Sequence, residues 1–222
     1  MNMLICVATD AELKPLLPLL NLHQAAVPDE NLKWHIAVTG TGIAHTTYYL
    51  TKHLCSHNYD LAVNLGVAGS FSTDHNIGDV LRIHKDRFGD WGAQEQNGFT
   101  DVFEMGLEDP DRYPYDGGWL YEQPHEALAP THIPSVEGFT VQTIRETGLE
   151  LNKHKHNAVV ESMEGAAFFL VCRQFNLPCV QFRAVSNTVG VRDKSKWKMH
   201  DALENLSQYF TYKVLRKIRL DR

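Results

Sequence analysis

The 222-residue chain has no apolar run approaching the roughly 18 residues that a membrane-spanning helix needs, which excludes a helical membrane protein. It lacks any cluster of basic residues, and its formal net charge is -6. Nucleic acid and anionic membrane surfaces are therefore poor partners, and a small molecule is a better one. Cysteine is scarce. Cys6, Cys55, Cys172 and Cys179 fall in predicted buried strands or helices without paired spacing, a pattern of reduced core thiols in a cytoplasm and not of a disulfide framework or metal site. No Pro/Gly/Ser-rich joint, internal repeat or low-complexity tract interrupts the chain, so residues 1–222 are predicted to form one domain. The opening MNMLICVATDAEL has a short apolar run but neither a basic flank nor a small-residue cleavage site, and it reads as a first strand and helix, not a signal peptide.

What is present is organised around Val159 to Asn187, predicted to be a buried strand, a packed helix and a second buried strand. Glu161 and Glu164 stand where the first strand gives way to the helix. That helix has almost no polar face through Ala166, Ala167, Phe168, Phe169, Leu170 and Val171, and Gly165 with the two alanines allows close approach to a sheet. An acid at such a helix mouth is costly to bury, which marks it as a candidate functional group. Pro178 is expected to stop the helix, and Cys179 to Val185 reads as a central strand ending in Ser186, Asn187 and Thr188. In open α/β sheets ligands sit outside the carboxyl ends of strands, where Glu164 and Asn187 fall.

Earlier in the chain, residues 3–8 form an apolar run of strand length. Thr9 then opens a helix that carries Glu12, either a complement to the helix dipole or a site residue. A strand over Trp34 to Val38 leads into Gly40-Thr41-Gly42 and a helix to about His57. His45 occupies the third glycine position of a dinucleotide fingerprint, so these glycines either admit a ligand to the backbone or simply make the turn. His53 and His57 lie one helical turn apart with no third ligand and read as surface residues. The strand Leu61 to Leu65 is expected to end in a loop, Gly66-Val67-Ala68-Gly69-Ser70, that exposes backbone to a flat ligand. Phe88 to Pro130 is irregular and aromatic, a lid or a packed surface excursion. Ser135 to Gln142 is strand-like, and Leu203, Leu206, Phe210, Val214 and Ile218 mark the core stripe of a closing helix.

Glu12, GVAGS, SMEGAA and RAVSN together resemble the nucleoside phosphorylase and nucleosidase superfamily, and within it most of all the futalosine hydrolase family, over nearly the whole length. The methylthioadenosine/S-adenosylhomocysteine nucleosidases are also similar. In them Glu stands immediately before the Met of the helix mouth, and Ser-Asp ends the later strand. Here Ser162 precedes Met163, with Glu161 displaced by one, and Asn187 replaces the Asp.

The resemblance implies an α/β fold of three αβα layers around a central mixed twisted sheet, and a homo-oligomer. It also implies hydrolysis of the N-ribosidic bond of futalosine to hypoxanthine and dehypoxanthinyl futalosine, a step in menaquinone biosynthesis. It places Glu12 as general base beside a water, Glu164 on the ribose hydroxyls and Arg183 beside these acids, where an ordinary buried ion pair is the alternative. Ala68 and Gly69 would offer backbone contacts, Phe139 a ring stacked on the base, and Thr140 and Met163 further walls. Asn187 offers an NH₂ donor at every pH and so suits the N7 and O6 acceptors of a 6-oxopurine. ATDAEL holds two acids and no Arg, which favours water over a phosphate dianion. No metal or dinucleotide constellation is visible, so no cofactor is implied. The alternatives are a nucleosidase or phosphorylase for other purine nucleosides and a non-catalytic nucleoside-binding protein.

Overall fold

The first apolar run becomes β1 (Asn2–Val7), whose alternate side chains enter two separate cores: Met3, Ile5 and Val7 one, Leu4 and Cys6 the other. A strand apolar on both faces must be covered on both faces, and this one alternation already fixes a layered arrangement. The computed structural model describes residues 1–26, 32–96, 98–128, 132–145, 157–191, 193, 195, 197–216 and 218.

The elements follow in the order α1 (Asp10–Ala26), β2 (Lys33–Val38), α2 (Ile43–Ser56), β3 (Leu61–Ser70), β4 (Val80–Phe88), β5 (Gly92–Glu95), β6 (Gly98–Asp101), β7 (Leu120–Tyr121), β8 (Ser135–Thr140), β9 (Val160–Ser162), α3 (Gly165–Gln174), β10 (Cys179–Thr188) and α4 (Met199–Tyr209). A π-helical turn, Phe210–Leu215, prolongs α4. The main sheet is mixed and runs β10-β4-β8-β9-β3-β1-β2, and β10 also pairs with β3. Five strands therefore close a ring, leaving β1 and β2 as a parallel wing. Helices α2 and α3 cover one face through Leu50, Leu54 and Phe168, while α1, α4 and the π turn cover the other through Leu16, Leu206 and Phe210. The closing stripe is core, as expected, on a helix that begins at Met199.

Three expectations change. GVAGS is strand, not loop: β3 runs to Ser70, paired with β10 on one side and β9 on the other, because residues this small fit a crowded crossing of three strands. Helix α3 ends before Pro178, where Asn176 takes φ 52, a conformation Asn tolerates and that breaks the helix four residues after its last apolar turn begins. Cys55 is exposed, whereas Cys6, Cys172 and Cys179 are buried thiols.

Candidate active site

Glu12 is held by the start of its own helix. Thr9 accepts the Glu12 N–H at 3.3 Å, and the Glu12 carboxylate turns back so that Oε2 accepts the N–H of Thr9 at 3.1 Å and of Ala8 at 2.8 Å. This reciprocal capping box is a structural use of the acid, and it occupies only one oxygen. Oε1 faces Gly66 and the Arg183 guanidinium. The carboxyl is 9% exposed, and burial pushes its pKa up; Arg183 opposes that shift, Glu164 adds to it, and the N–H groups of Ala8 and Thr9 oppose it.

Glu164 sits at the N-cap of α3, 5% exposed. Its Oε1 accepts the Gly42 N–H at 3.1 Å, and its Oε2 lies 3.6 Å from Arg183 Nη1. Gly42 has φ 88, so the Gly40-Thr41-Gly42 turn needs a glycine there both for its shape and to bring this N–H to the acid. Arg183, 1% exposed, comes from the ring-facing side of β10, opposite Gly66 in the parallel register. Its Nε donates to Gln181 Oε1 at 2.7 Å, and Nη2 is a buried donor with no hydrogen-bond partner among the described residues.

Asn187 owes its position to a bulge. The register slips between Val185 and Asn187, which places Asn187 beside Gly69 and turns its side chain to the cavity. The Ser186 hydroxyl lies 2.8 Å from Asn187 Oδ1, and Nδ2 donates to Thr188 O at 3.1 Å. The amide oxygen is thus engaged, and one N–H of the NH₂ group is left to offer.

Glu12, Glu164 and Asn187 border one cavity of about 210 Å³, far above the roughly 10–15 Å³ that admits a single water, so it has room for a small molecule. Glu12, Glu161 and Glu164 face it with Ala68, Gly69, Met163 and Asn187, and among the described residues no Lys or Arg lines it. Three predicted contacts lie behind the wall. Arg183 is screened by the acids it touches. Thr140 Oγ1 donates to Asp86 and accepts the Ala166 N–H, and the Phe139 ring, 1% exposed, stacks on Trp119. Both belong to the packing of β8 and do not line the cavity: as neighbours on one strand they point to opposite faces, and both faces are covered, by Asp86 and α3 on one side and by Trp119 on the other.

The aromatic stretch from Phe88 also contributes no lining residue among those described. It is a packed excursion in which Trp91, Phe103 and Tyr115 meet edge-on or tilted and Arg87 pairs with Asp101 at 2.6 Å. Ile144, Trp197, Met199 and Leu203 line the cavity and were not singled out for it from the sequence. Trp197 carries the one legible signal, an aromatic residue within a polar, basic run. His53 is half-buried, not a free surface residue: its Nε2 lies 2.6 Å from the Tyr59 hydroxyl. Among the described residues no group of three or more His, Cys, Asp or Glu is placed to hold a metal ion, and no helix is long and apolar enough to cross a membrane.

Comparison with known proteins gives the same fold. The chain is 28% identical over 195 residues to a futalosine hydrolase of Streptomyces coelicolor, covering 86% of this chain and 80% of that one. It is 24% identical to a 5'-methylthioadenosine/S-adenosylhomocysteine nucleosidase of Psychromonas ingrahamii, over 73% and 71% of the two chains. The native structure of futalosine hydrolase of Helicobacter pylori superposes with a TM-score of 0.75 at 17% identity, covering 100% of this chain and 98% of that one, a likeness of fold. The family model described as the phosphorylase superfamily matches residues 29–216, and the chain belongs to that superfamily.

Proposed function

We propose that the chain hydrolyses the N-ribosidic bond of futalosine, releasing hypoxanthine, with water as nucleophile and no cofactor. The observation that carries this reading is a cavity with three carboxylates, no lining cation among the described residues, and an amide whose oxygen is already engaged. Breaking an N-ribosidic bond builds positive charge on the sugar and negative charge on the departing purine, so acids belong on the sugar side and a hydrogen-bond donor on the base side. Glu12 takes the proton of water, a role usually worth about 10²–10⁴ in rate. Glu164 accepts hydrogen bonds from ribose hydroxyls, which strengthen as the ring becomes cationic. Asn187 donates to the O6/N7 edge, with Ala68, Gly69 and Met163 as walls. Phosphorolysis would bring a dianion against Glu12, Glu161 and Glu164, which Coulomb repulsion disfavours.

The names of the sequence relatives support the same substrate, and they support a second reading as a methylthioadenosine-type nucleosidase. Asn187 favours the first. An Asp accepts from a 6-amino group, whereas Asn presents a donor to a 6-oxo group. Values of kcat/KM for futalosine and methylthioadenosine decide between them: futalosine is expected to be preferred, and the reverse order would move the chain to the second class. A homo-oligomer in a cytoplasm is part of the proposal, and light scattering of the purified protein tests the assembly.

A further inference from the structure

Asp86 lies outside the cavity wall, on β4 beneath the first turn of α3, and is 1% exposed. Its Oδ1 accepts from Thr140 Oγ1 at 2.9 Å and its Oδ2 from Gln181 Nε2 at 3.3 Å. Gln181 in turn accepts from Arg183 Nε, and Arg183 reaches Glu164. The orientation of the amide follows from its neighbours. A carboxylate only accepts and a guanidinium only donates, so Gln181 must turn its NH₂ to Asp86 and its oxygen to Arg183. A Cβ on Gly165 would overlap both Asp86 Oδ2 and Gln181 Oε1, so this glycine leaves the space in which the two groups meet.

We propose that Asp86 is a positioning residue for the reaction, acting through Gln181 to hold the Arg183 guanidinium against Glu164 and Glu12. The proposal rests on the hydrolytic reading above. Arg183 reaches the site with only its far end. Rotation about its long side chain is stopped by the single Nε hydrogen bond, and that bond is as firm as the amide that accepts it. Protonating Asp86 would add a donor where Gln181 already donates. The amide would then gain by turning over, and its NH₂ would face Arg183 Nε, two donors in opposition. The groups facing Asp86 are Thr140 on β8, Gln181 and Arg183 on β10, the backbone N–H of Arg87 on β4 and Gly165 on α3. Burial pushes the Asp86 carboxyl up to about 7, with the Thr140 and Gln181 hydrogen bonds and Arg183 opposing, so the relay is complete only on the alkaline side of that value.

The test is a double-mutant cycle with Asp86→Leu and Gln181→Met. Asp86→Leu keeps the number of side-chain heavy atoms and Gln181→Met the length of the side chain, and the cycle isolates the coupling between the two residues. Each single variant is expected to lower kcat on futalosine at least tenfold with KM changed less than threefold, and the double variant should lose no more than Gln181→Met alone. Losses that multiply, or full activity in either single variant, overturn the proposal; Gln181→Met alone decides this if Asp86→Leu does not fold. The Arg183 Nε–H signal in ¹⁵N NMR provides a readout that needs no reaction. It should exchange slowly in the parent and rapidly in Asp86→Leu, and persistence of the slow signal in that variant refutes the relay. Failure of the parent to release hypoxanthine would instead refute the functional reading.

Discussion

Arg183 stands directly opposite Gly66 in the parallel pairing of β10 with β3, and a Cβ at Gly66 would overlap Arg183 Nη1 and fall 2.8 Å from Glu12 Oε1. The missing side chain is the space in which the Arg183 guanidinium and the Glu12 carboxylate share one corner of the ring. Gly66→Ala is therefore expected to lower kcat at least tenfold by displacing one or both. Ala68→Gly, two residues along the same strand, should cost less than threefold. Equal losses in the two variants, measured by hypoxanthine release, would show that the effect is one of strand stability.

Glu12→Gln should lower kcat by about 10²–10⁴, the usual range for removing a general base. The amide oxygen still accepts the Ala8 and Thr9 N–H groups, so the capping box survives, while the NH₂ group takes the Oε1 place beside Arg183. Calorimetric binding of an uncleaved nucleoside analogue beside steady-state rates checks this. Unchanged turnover would remove Glu12 from the chemistry.

The pH profile follows from two buried acids. In the proposed mechanism Glu12 acts in its ionised form, and burial raises its pKa, so kcat/KM should fall on the acid side at a pH above the ordinary glutamate value of about 4.3. For stability the sign is opposite. A carboxyl whose pKa is higher folded than unfolded binds its proton more tightly in the native state. The Asp86 contribution is then fully present below about 3.9, declines as pH rises and is lost above about 7. Urea midpoints measured from pH 4 to 8 should show that decline in the parent and a flatter course in Asp86→Leu.

Asn187→Asp is expected to depress activity on the 6-oxopurine substrate at neutral pH and to favour a 6-aminopurine analogue by comparison, since Asp donates only when protonated. The ratio of kcat/KM values for the two substrates reads this. Ser186→Ala, which frees the Asn187 oxygen, should move the same ratio in the same direction by a smaller factor.

Elements and acids were legible where short-range chemistry decides them. β1, α3 and β10 announce themselves by apolar runs of the right length, and Glu12, Glu164 and Asn187 by polar groups at the ends of those runs. The register was not legible. That Arg183 meets Gly66, that a bulge swings Asn187 to Gly69, and that β8 lies within the ring with both Phe139 and Thr140 covered all depend on pairings between strands distant in sequence. GVAGS read as a loop because glycine and alanine are weak strand formers, yet closure of the ring requires side chains this small where β3 passes between β9 and β10. Ile144 and Trp197 reach the cavity from segments that carry no strand or helix period pointing to it, while Met199 and Leu203 do so from the first turns of α4, whose stripe read as core alone.

The most direct measurement is a time course of futalosine with the purified protein in phosphate-free buffer made with ¹⁸O-labelled water, followed by mass spectrometry of the products. Hypoxanthine should appear in equimolar amount with a sugar product carrying one ¹⁸O at the anomeric position. Absence of hypoxanthine, or its release only when phosphate is added and without label in the sugar, would contradict hydrolysis of this substrate.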